Sequence, residues 1–329
     1  MVAEDAEPVP DTLARPTAMR ALIVTNMYPT AERPARGRFV HDQVQALRRG
    51  GQAQIDVRDF APGGPSAYVR AAGRLARAGR ARSAPAYDVV HAHFGLTAWP
   101  ALAAPARAHL VTLHGTDLAH PRSRAITLAA ARRLDLVAAV SARLAETVPS
   151  WASRRPVAVL PCGVDLHRFG RIDRADARRA LGLDPGLPCL LFPADPSRPE
   201  KRFDRASEVA GEVALLTLEN VRPEAVGLYI NAASAVLVPS EREGFGLATL
   251  EALACDVPVL ATPVGVAPEA LAGVSGTLCA RYDRERWRRA LAPHLSVPDP
   301  RVAGRGAAAR YSSDVMAQRV LDAWRELLR

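Results

Sequence analysis

The stretch AVLVPSEREGFGLATLEAL, residues 235–253, decides how this chain is read. It opens on four uninterrupted aliphatic residues, the pattern of a strand buried on both faces of a parallel sheet. A polar loop with two glycines follows, and then an Ala- and Leu-rich segment that favours helix. A loop so placed lies at the carboxyl end of a strand, where open α/β sheets bind their ligands. Gly244 and Gly246 let backbone N–H groups come close to a ligand, and the start of the helix adds positive potential suited to phosphate or sugar oxygens. From Glu243 to Glu251 is about 12 Å if the whole span were helical. Carboxylates accept paired hydrogen bonds from vicinal hydroxyls, so an acid at each end of a polyol-containing ligand makes chemical sense.

The same alternation runs outward in both directions. Upstream, apolar runs of strand length stand at 20–26, 54–60, 88–94, 109–115, 134–141 and 157–163, separated by helix-patterned segments such as FVHDQVQALRRGG and RAITLAAARRL. After the polar connection DLHRFGRIDRADARRALGLDPG a second set stands at 189–195, 213–218, 235–240, 258–264 and 276–280. Strands alternating with helices predict an α/β fold of two doubly wound, Rossmann-like domains whose strand ends face each other across a cleft. A chain of 329 residues also exceeds what one hydrophobic core serves well. The expected organisation is a disordered, acidic, Pro- and Ala-rich tail over 1–18, a first domain over 19–168, a second over 169–310, and an amphipathic helix over 311–329 packing back toward the first domain.

Composition narrows the partners. Hydrophobic content of 49% with 23% charged residues is that of a soluble globular protein. Cys162, Cys189, Cys255 and Cys279 form no CxxC pair, which argues against a disulfide framework or a zinc knuckle. No leader-like or spanning segment stands out, and a cytoplasmic protein is expected. A net charge of +9 implies anionic company, although arginine-heavy composition raises the charge by itself. Aromatics at 5%, with no zinc finger or helix-turn-helix pattern, argue against nucleic acid. A phosphorylated substrate and a membrane surface remain. Arg70, Arg74 and Arg77 form one stripe of a helical segment over 68–82, either a solvated face or a surface for anionic lipid, which would make the protein peripheral on the inner face of the membrane. His91 and His93 share a strand face, where a structural hydrogen-bond role is favoured over metal chelation for want of a third ligand. Lys201 is the one lysine among 43 basic residues. It is either a chance survivor on a solvated loop or, as its singularity favours, a site where a compact ammonium on a flexible stem fits and a planar guanidinium does not.

Taken together, these motifs resemble the retaining glycosyltransferases of family 4, which have the GT-B fold. The likeness is carried by the E-x7-E sequence EGFGLATLE within PSEREGFGLATLEALACDVPVLATPVGVAPE, and by RGRFVHDQVQALRRGG, DVVHAHFGL, VTLHGTDL and PCGVDLHRF in the family's order. It implies transfer of a sugar from a nucleotide-sugar donor, such as a UDP- or GDP-sugar, to a hydroxyl of a glycan, lipid-linked or small-molecule acceptor, with no cofactor. Glu243 would hold sugar hydroxyls, the backbone of Gly244, Phe245, Gly246 and Leu247 would hold sugar and phosphate, and Glu251 would hold ribose. Lys201 would bind the diphosphate with Arg198 as its partner. His114 would line the reacting centre, Gly37 would belong to the loop facing the diphosphate, and Asp117 and His93 are acceptor-side candidates. No DxD sequence offers a metal bridge, so no metal is expected. The chain departs from the family pattern at Pro196, where the arginine usually stands, at Cys162 in place of the hinge asparagine, and at Asp256 in place of a glycine. The short stretch after Lys201 keeps open a binding protein without turnover, and an epimerase or phosphorylase on the same scaffold.

Overall fold

The computed structural model describes residues 18–80 and 87–329. The tail expected over 1–18, apart from residue 18, and the last two residues of the basic segment 68–82 lie outside these. Eleven strands are described: β1 Met19–Thr25, β2 Ala53–Asp59, β3 Tyr87–His93, β4 Ala106–Leu113, β5 Leu136–Ala139, β6 Ala158–Val159, β7 Cys189–Phe192, β8 Ala214–Thr217, β9 Ala235–Val238, β10 Val259–Ala261 and β11 Leu278–Cys279. They form two sheets, ordered β2-β1-β3-β4-β5-β6 and β11-β10-β9-β7-β8, and their ladders are parallel. In each sheet the first strand in sequence pairs on one side with the next and on the other with the one after. The strand order therefore reverses beside β1 and beside β7, and a crevice opens at the carboxyl ends there.

The central strands are apolar on both faces because helices cover both. Leu22, Ile23 and Val24 of β1 and Val236 and Leu237 of β9 are buried, with successive residues falling in different clusters on opposite sides of their sheet. One expected strand is cut short: only Ala158 and Val159 of the run 157–163 pair with β5, because Pro161 has no N–H to extend a ladder. The helix Ser313–Leu328 follows the second sheet but packs on the first, where Met316, Val320 and Trp324 join Val40, Val44 and Leu47. Its N-cap Ser312 accepts the Val315 N–H at 3.2 Å. Two backbone bonds, Val164 N–H to Tyr311 O and Ser313 N–H to Val164 O, tie its start to the connection between the halves.

Candidate active site

The carboxyl ends of the two sheets enclose a cleft holding a cavity of about 490 Å³. Its walls come mainly from the loops that follow β1, β3, β4, β7, β8 and β9, at or near the points of strand-order reversal, with Arg168 from the connection between the halves. The helix Leu247–Ala254 supplies Leu247 and Glu251.

Charge is concentrated on the second sheet's side. After β7 the chain makes a short turn, Pro199–Lys201, and Lys201 Nζ donates to Glu243 Oε2 at 2.6 Å. Glu243 Oε1 accepts the Ser240 hydroxyl at 2.7 Å, so both carboxylate oxygens are fixed. The two side chains are 14% and 10% exposed, a pair buried enough that removing one partner strands the other. Arg202 holds the turn: it adopts a left-handed backbone, φ 60°, and its guanidinium grips Asp204 and Glu241. Arg198 lines the same cavity, but both its Nε and Nη2 donate to Glu200 Oε1, at 3.0 and 2.7 Å.

At the other end of the cavity stands Glu251. Arg168 Nη2 lies 3.9 Å from its carboxylate, and Arg168 Nη1 lies 3.0 Å from Asp42, which Arg38 also pairs at 2.9 Å. Burial pushes Glu251 up to about 7, with Arg168 opposing the rise and Asp42 adding to it. Gly37 caps the helix Arg38–Arg49 in a left-handed conformation, φ 61°, and a Cβ there would lie 2.1 Å from the Met27 carbonyl oxygen. Only glycine fits that turn, which brings Arg38 and Asp42 to the Glu251 end of the cleft.

Around His114 the first sheet's side is neutral. His114 follows β4 and lines the cavity, its ring packed against both Phe39 and Phe94 at centroid distances of 4.8 and 4.7 Å. Phe94 has φ 74°, an uncommon backbone for a bulky residue and a sign of strain held at this rim. Burial drives the imidazoles of His91 and His114 well below the usual range and that of His93 down to about 3. The two acceptor-side candidates behave otherwise than expected. Asp117 is buried away from the cavities, and its carboxylate accepts the Gly95 N–H at 2.8 Å and the His114 N–H, so it orders the loop that carries His114. His93 is also buried behind His114 and reaches the cleft only through it, at 3.1 Å. The ring nitrogens of His91 and His93 are all engaged in hydrogen bonds, in keeping with a structural role.

The two sides meet where Gly244 approaches the His114 carbonyl so closely that a Cβ would lie 2.1 Å from its oxygen. Beyond this contact a second cavity of about 290 Å³ shares Lys201, Glu243 and Gly244 with the first and is edged by Arg143 and Arg242. The structure thus brings His114, Lys201, Glu243, Gly244, Phe245, Gly246, Leu247, Glu251 and Arg198 to one chamber, with Gly37 beside its Glu251 end. Arg168, Asp42 and Ser240 were not singled out by sequence. Arg168 sits inside the quoted PCGVDLHRF, and its spacing gave no sign of the partners it reaches.

Comparison with known proteins agrees with this geometry. The family described as Glycosyltransferase Family 4 matches residues 20–168, and that described as Glycosyl transferases group 1 matches residues 194–308. The D-inositol 3-phosphate glycosyltransferase of Saccharomonospora viridis is 31% identical over 310 residues, covering 74% of this chain and 70% of the relative. The protein of that name from Actinosynnema mirum is 32% identical, covering 69% and 68%. Against the one from Segniliparus rotundus, 33% identical over 218 residues, the chain spans about half (49%) of the relative's length. Among solved structures, sucrose-phosphate synthase from Thermosynechococcus elongatus superposes with a TM-score of 0.69 at 20% identity, covering 94% of this chain and 98% of that one. Anabaena HepE in complex with UDP and glucose gives 0.69 at 15% identity, covering 94% and 100%. These two share the GT-B fold with the chain. The chain belongs to glycosyltransferase family 4.

Proposed function

We propose that the chain transfers a sugar, with retention and without a metal, from a nucleoside-diphosphate sugar to a hydroxyl acceptor. The observation that carries this is the Lys201–Glu243 pair, fixed at 2.6 Å in the cleft that His114 lines from the other side. Glu243 is placed to accept sugar hydroxyls and Glu251 to accept those of ribose, with Leu218, Val221 and Pro223 offering an apolar wall to a base. The anomeric C–O bond of the donor breaks, negative charge gathers on the departing diphosphate, and Lys201 with the backbone N–H groups after Glu243 faces it. Fixed donors of this kind supply about 3–4 kcal/mol each to lowering a barrier. The acceptor oxygen bonds to the anomeric carbon on the same face, and its proton passes to a departing phosphate oxygen. The acceptor enters through the second cavity. Because the relatives are named for D-inositol 3-phosphate and Arg143 and Arg242 edge that cavity, a phosphorylated polyol is the first acceptor to try.

The exposed Arg70, Arg74 and Arg77, which make no ion pair among the described residues, leave contact with an anionic membrane as the companion proposal. No described helix is long and apolar enough to cross a membrane. The deciding experiment offers the protein a panel of nucleotide sugars with D-inositol 3-phosphate and neutral polyols, and identifies products by mass and anomeric configuration. A glycoside of retained configuration, formed equally in EDTA, is expected. Donor bound but never consumed would favour a binding protein, and an epimerised donor or a sugar phosphate would favour the other enzymes of this scaffold.

A further inference from the structure

We propose that Gln43 and His93 are positioning residues for glycosyl transfer: they hold His114 as a neutral imidazole with its proton on Nδ1, so that it meets the substrates as a hydrogen-bond donor and not as a base. This rests on the glycosyl-transfer reading of the cleft given above.

The proton positions follow from what each ring nitrogen is offered: the indole N–H of Trp324 can only donate, and Gln43 turns its amide nitrogen, not its oxygen, to the ring it meets. Trp324 on the C-terminal helix lies with its indole Nε1–H 3.3 Å from His91 Nδ1. That nitrogen must accept, so His91 carries its proton on Nε2 and donates to Thr112 Oγ1 at 2.7 Å. One layer nearer the cleft the logic repeats. The amide nitrogen of Gln43, on the helix Arg38–Arg49, lies 3.3 Å from His93 Nε2. His93 Nε2 accepts, its proton sits on Nδ1, and that N–H donates to His114 Nε2 at 3.1 Å. His114 Nε2 is thereby an acceptor, and the remaining proton stands on Nδ1, which has no partner among the described residues and is the ring nitrogen left to the cleft.

Packing keeps the rings in place. His93 stacks on His91 with centroids 4.6 Å apart and planes 22° apart, which fixes the direction of its Nδ1–H. Phe39 and Phe94, themselves in edge contact, both pack against the His114 ring, and a flip about its Cβ–Cγ bond would turn a carbon toward His93. Burial disfavours a second N–H proton on any of the three rings, in agreement with this chain of neutral imidazoles. The consequence is chemical. With Nε2 occupied and Nδ1 protonated, this rim offers no basic nitrogen to an incoming hydroxyl, whose proton is left to the departing phosphate. A fixed N–H is offered instead to an oxygen of the donor, at no cost of reorientation during the reaction.

The test is the tautomer itself, read by long-range ¹H–¹⁵N correlation on protein labelled at histidine, without substrate. The His114 signals are identified among the eight histidines by their loss in His114→Gln. Protonated Nδ1 and bare Nε2 at both His93 and His114 are expected, and a proton on His114 Nε2 overturns the proposal whatever the enzyme's substrate. A kinetic arm separates positioning from packing. In His93→Asn the amide nitrogen takes the place of Nδ1 and still donates to His114, whereas His93→Leu fills the space without donating. Turnover is expected to fall about tenfold in the Leu variant, with the donor KM little changed, and to recover in the Asn variant. Equal losses in the two would show that His93 acts only by packing. If no donor is ever turned over, the tautomer result still stands and only the glycosyl-transfer reading falls.

Discussion

The two rims of the cleft solve opposite electrostatic problems. The first sheet's rim at the reacting centre faces the cleft with His114 and Phe94, neutral groups backed by the buried His93 and Asp117, whose carboxylate is spent on backbone N–H groups. The second sheet's rim, Lys201, Glu243 and Arg198, is charged, each member paired with an opposite charge before any substrate arrives. The difference teaches where each half acts. On the proposed reading, charge that develops on a leaving diphosphate is met from the second half, while the first half supplies shape and fixed neutral donors.

The sharpest way to break this contrast is at Lys201. Lys201→Ala is expected to lower kcat by about 10²–10³. Lys201→Arg should fall nearly as far, because a planar fork does not take the place of a point charge in a narrow crevice. The pair with Glu243 adds a stability effect: Lys201→Ala strands a buried carboxylate and should cost about 3 kcal/mol. The double variant Lys201→Met with Glu243→Gln should regain that stability and none of the activity. Steady-state kinetics beside chemical denaturation separates the two effects, and recovery of activity in the double variant would end the assignment of Lys201 to the leaving group.

A smaller effect sharpens the division within the charged rim. Glu243→Gln is expected chiefly to lower kcat, since sugar contacts tighten as the anomeric bond breaks. Glu251→Gln should chiefly raise the donor KM, by about tenfold, since ribose contacts do not change during the reaction. Equal changes of both parameters in both variants would remove this distinction. Glu251 also carries a pH signature in the donor-free protein. Its folded pKa of about 7 lies above the ordinary value of 4.5, so the folded state holds this proton more tightly than the unfolded chain. The associated stability is fully present below about pH 4.5 and is lost as pH rises through about 7. Glu251→Gln cannot lose a proton, so it should gain about 1–3 kcal/mol on the parent across that window. A stability difference flat with pH would contradict the burial argument. The smallest expected effect is peripheral: Arg70, Arg74 and Arg77 replaced together by Gln should reduce cosedimentation with anionic vesicles at low salt and leave kcat unchanged.

Local pattern made much of this legible. The strand, glycine loop and helix of 235–253 declared the second rim, because burial on two faces and backbone close to a ligand each leave a mark in consecutive residues. Asp256 is instructive. A glycine was the usual residue there, the backbone is left-handed at φ 57°, and Asp adopts it while its carboxylate accepts the Gly304 and Arg305 N–H groups. What stayed hidden joins residues far apart in the chain. Gln43 meets His93 fifty positions away, and Trp324 meets His91 across 233. Arg168 reaches Asp42 and Glu251 from opposite halves. No period in the sequence records such contacts, since they are set by how the two sheets and the returning helix close on one another. Asp117 was misread for the same reason: an acid beside HGT looks available until Gly95 and His114 are seen to hold it.

The most direct measurement of the central claim follows nucleoside-diphosphate release from a consumed donor with and without acceptor, in the parent and in Lys201→Arg. Release that begins only when acceptor is added, and that Lys201→Arg slows nearly as far as Lys201→Ala at saturating donor, is the predicted result. Release indifferent to acceptor, or a Lys201→Arg variant of near-parental rate, would contradict a charged rim built to receive the leaving group.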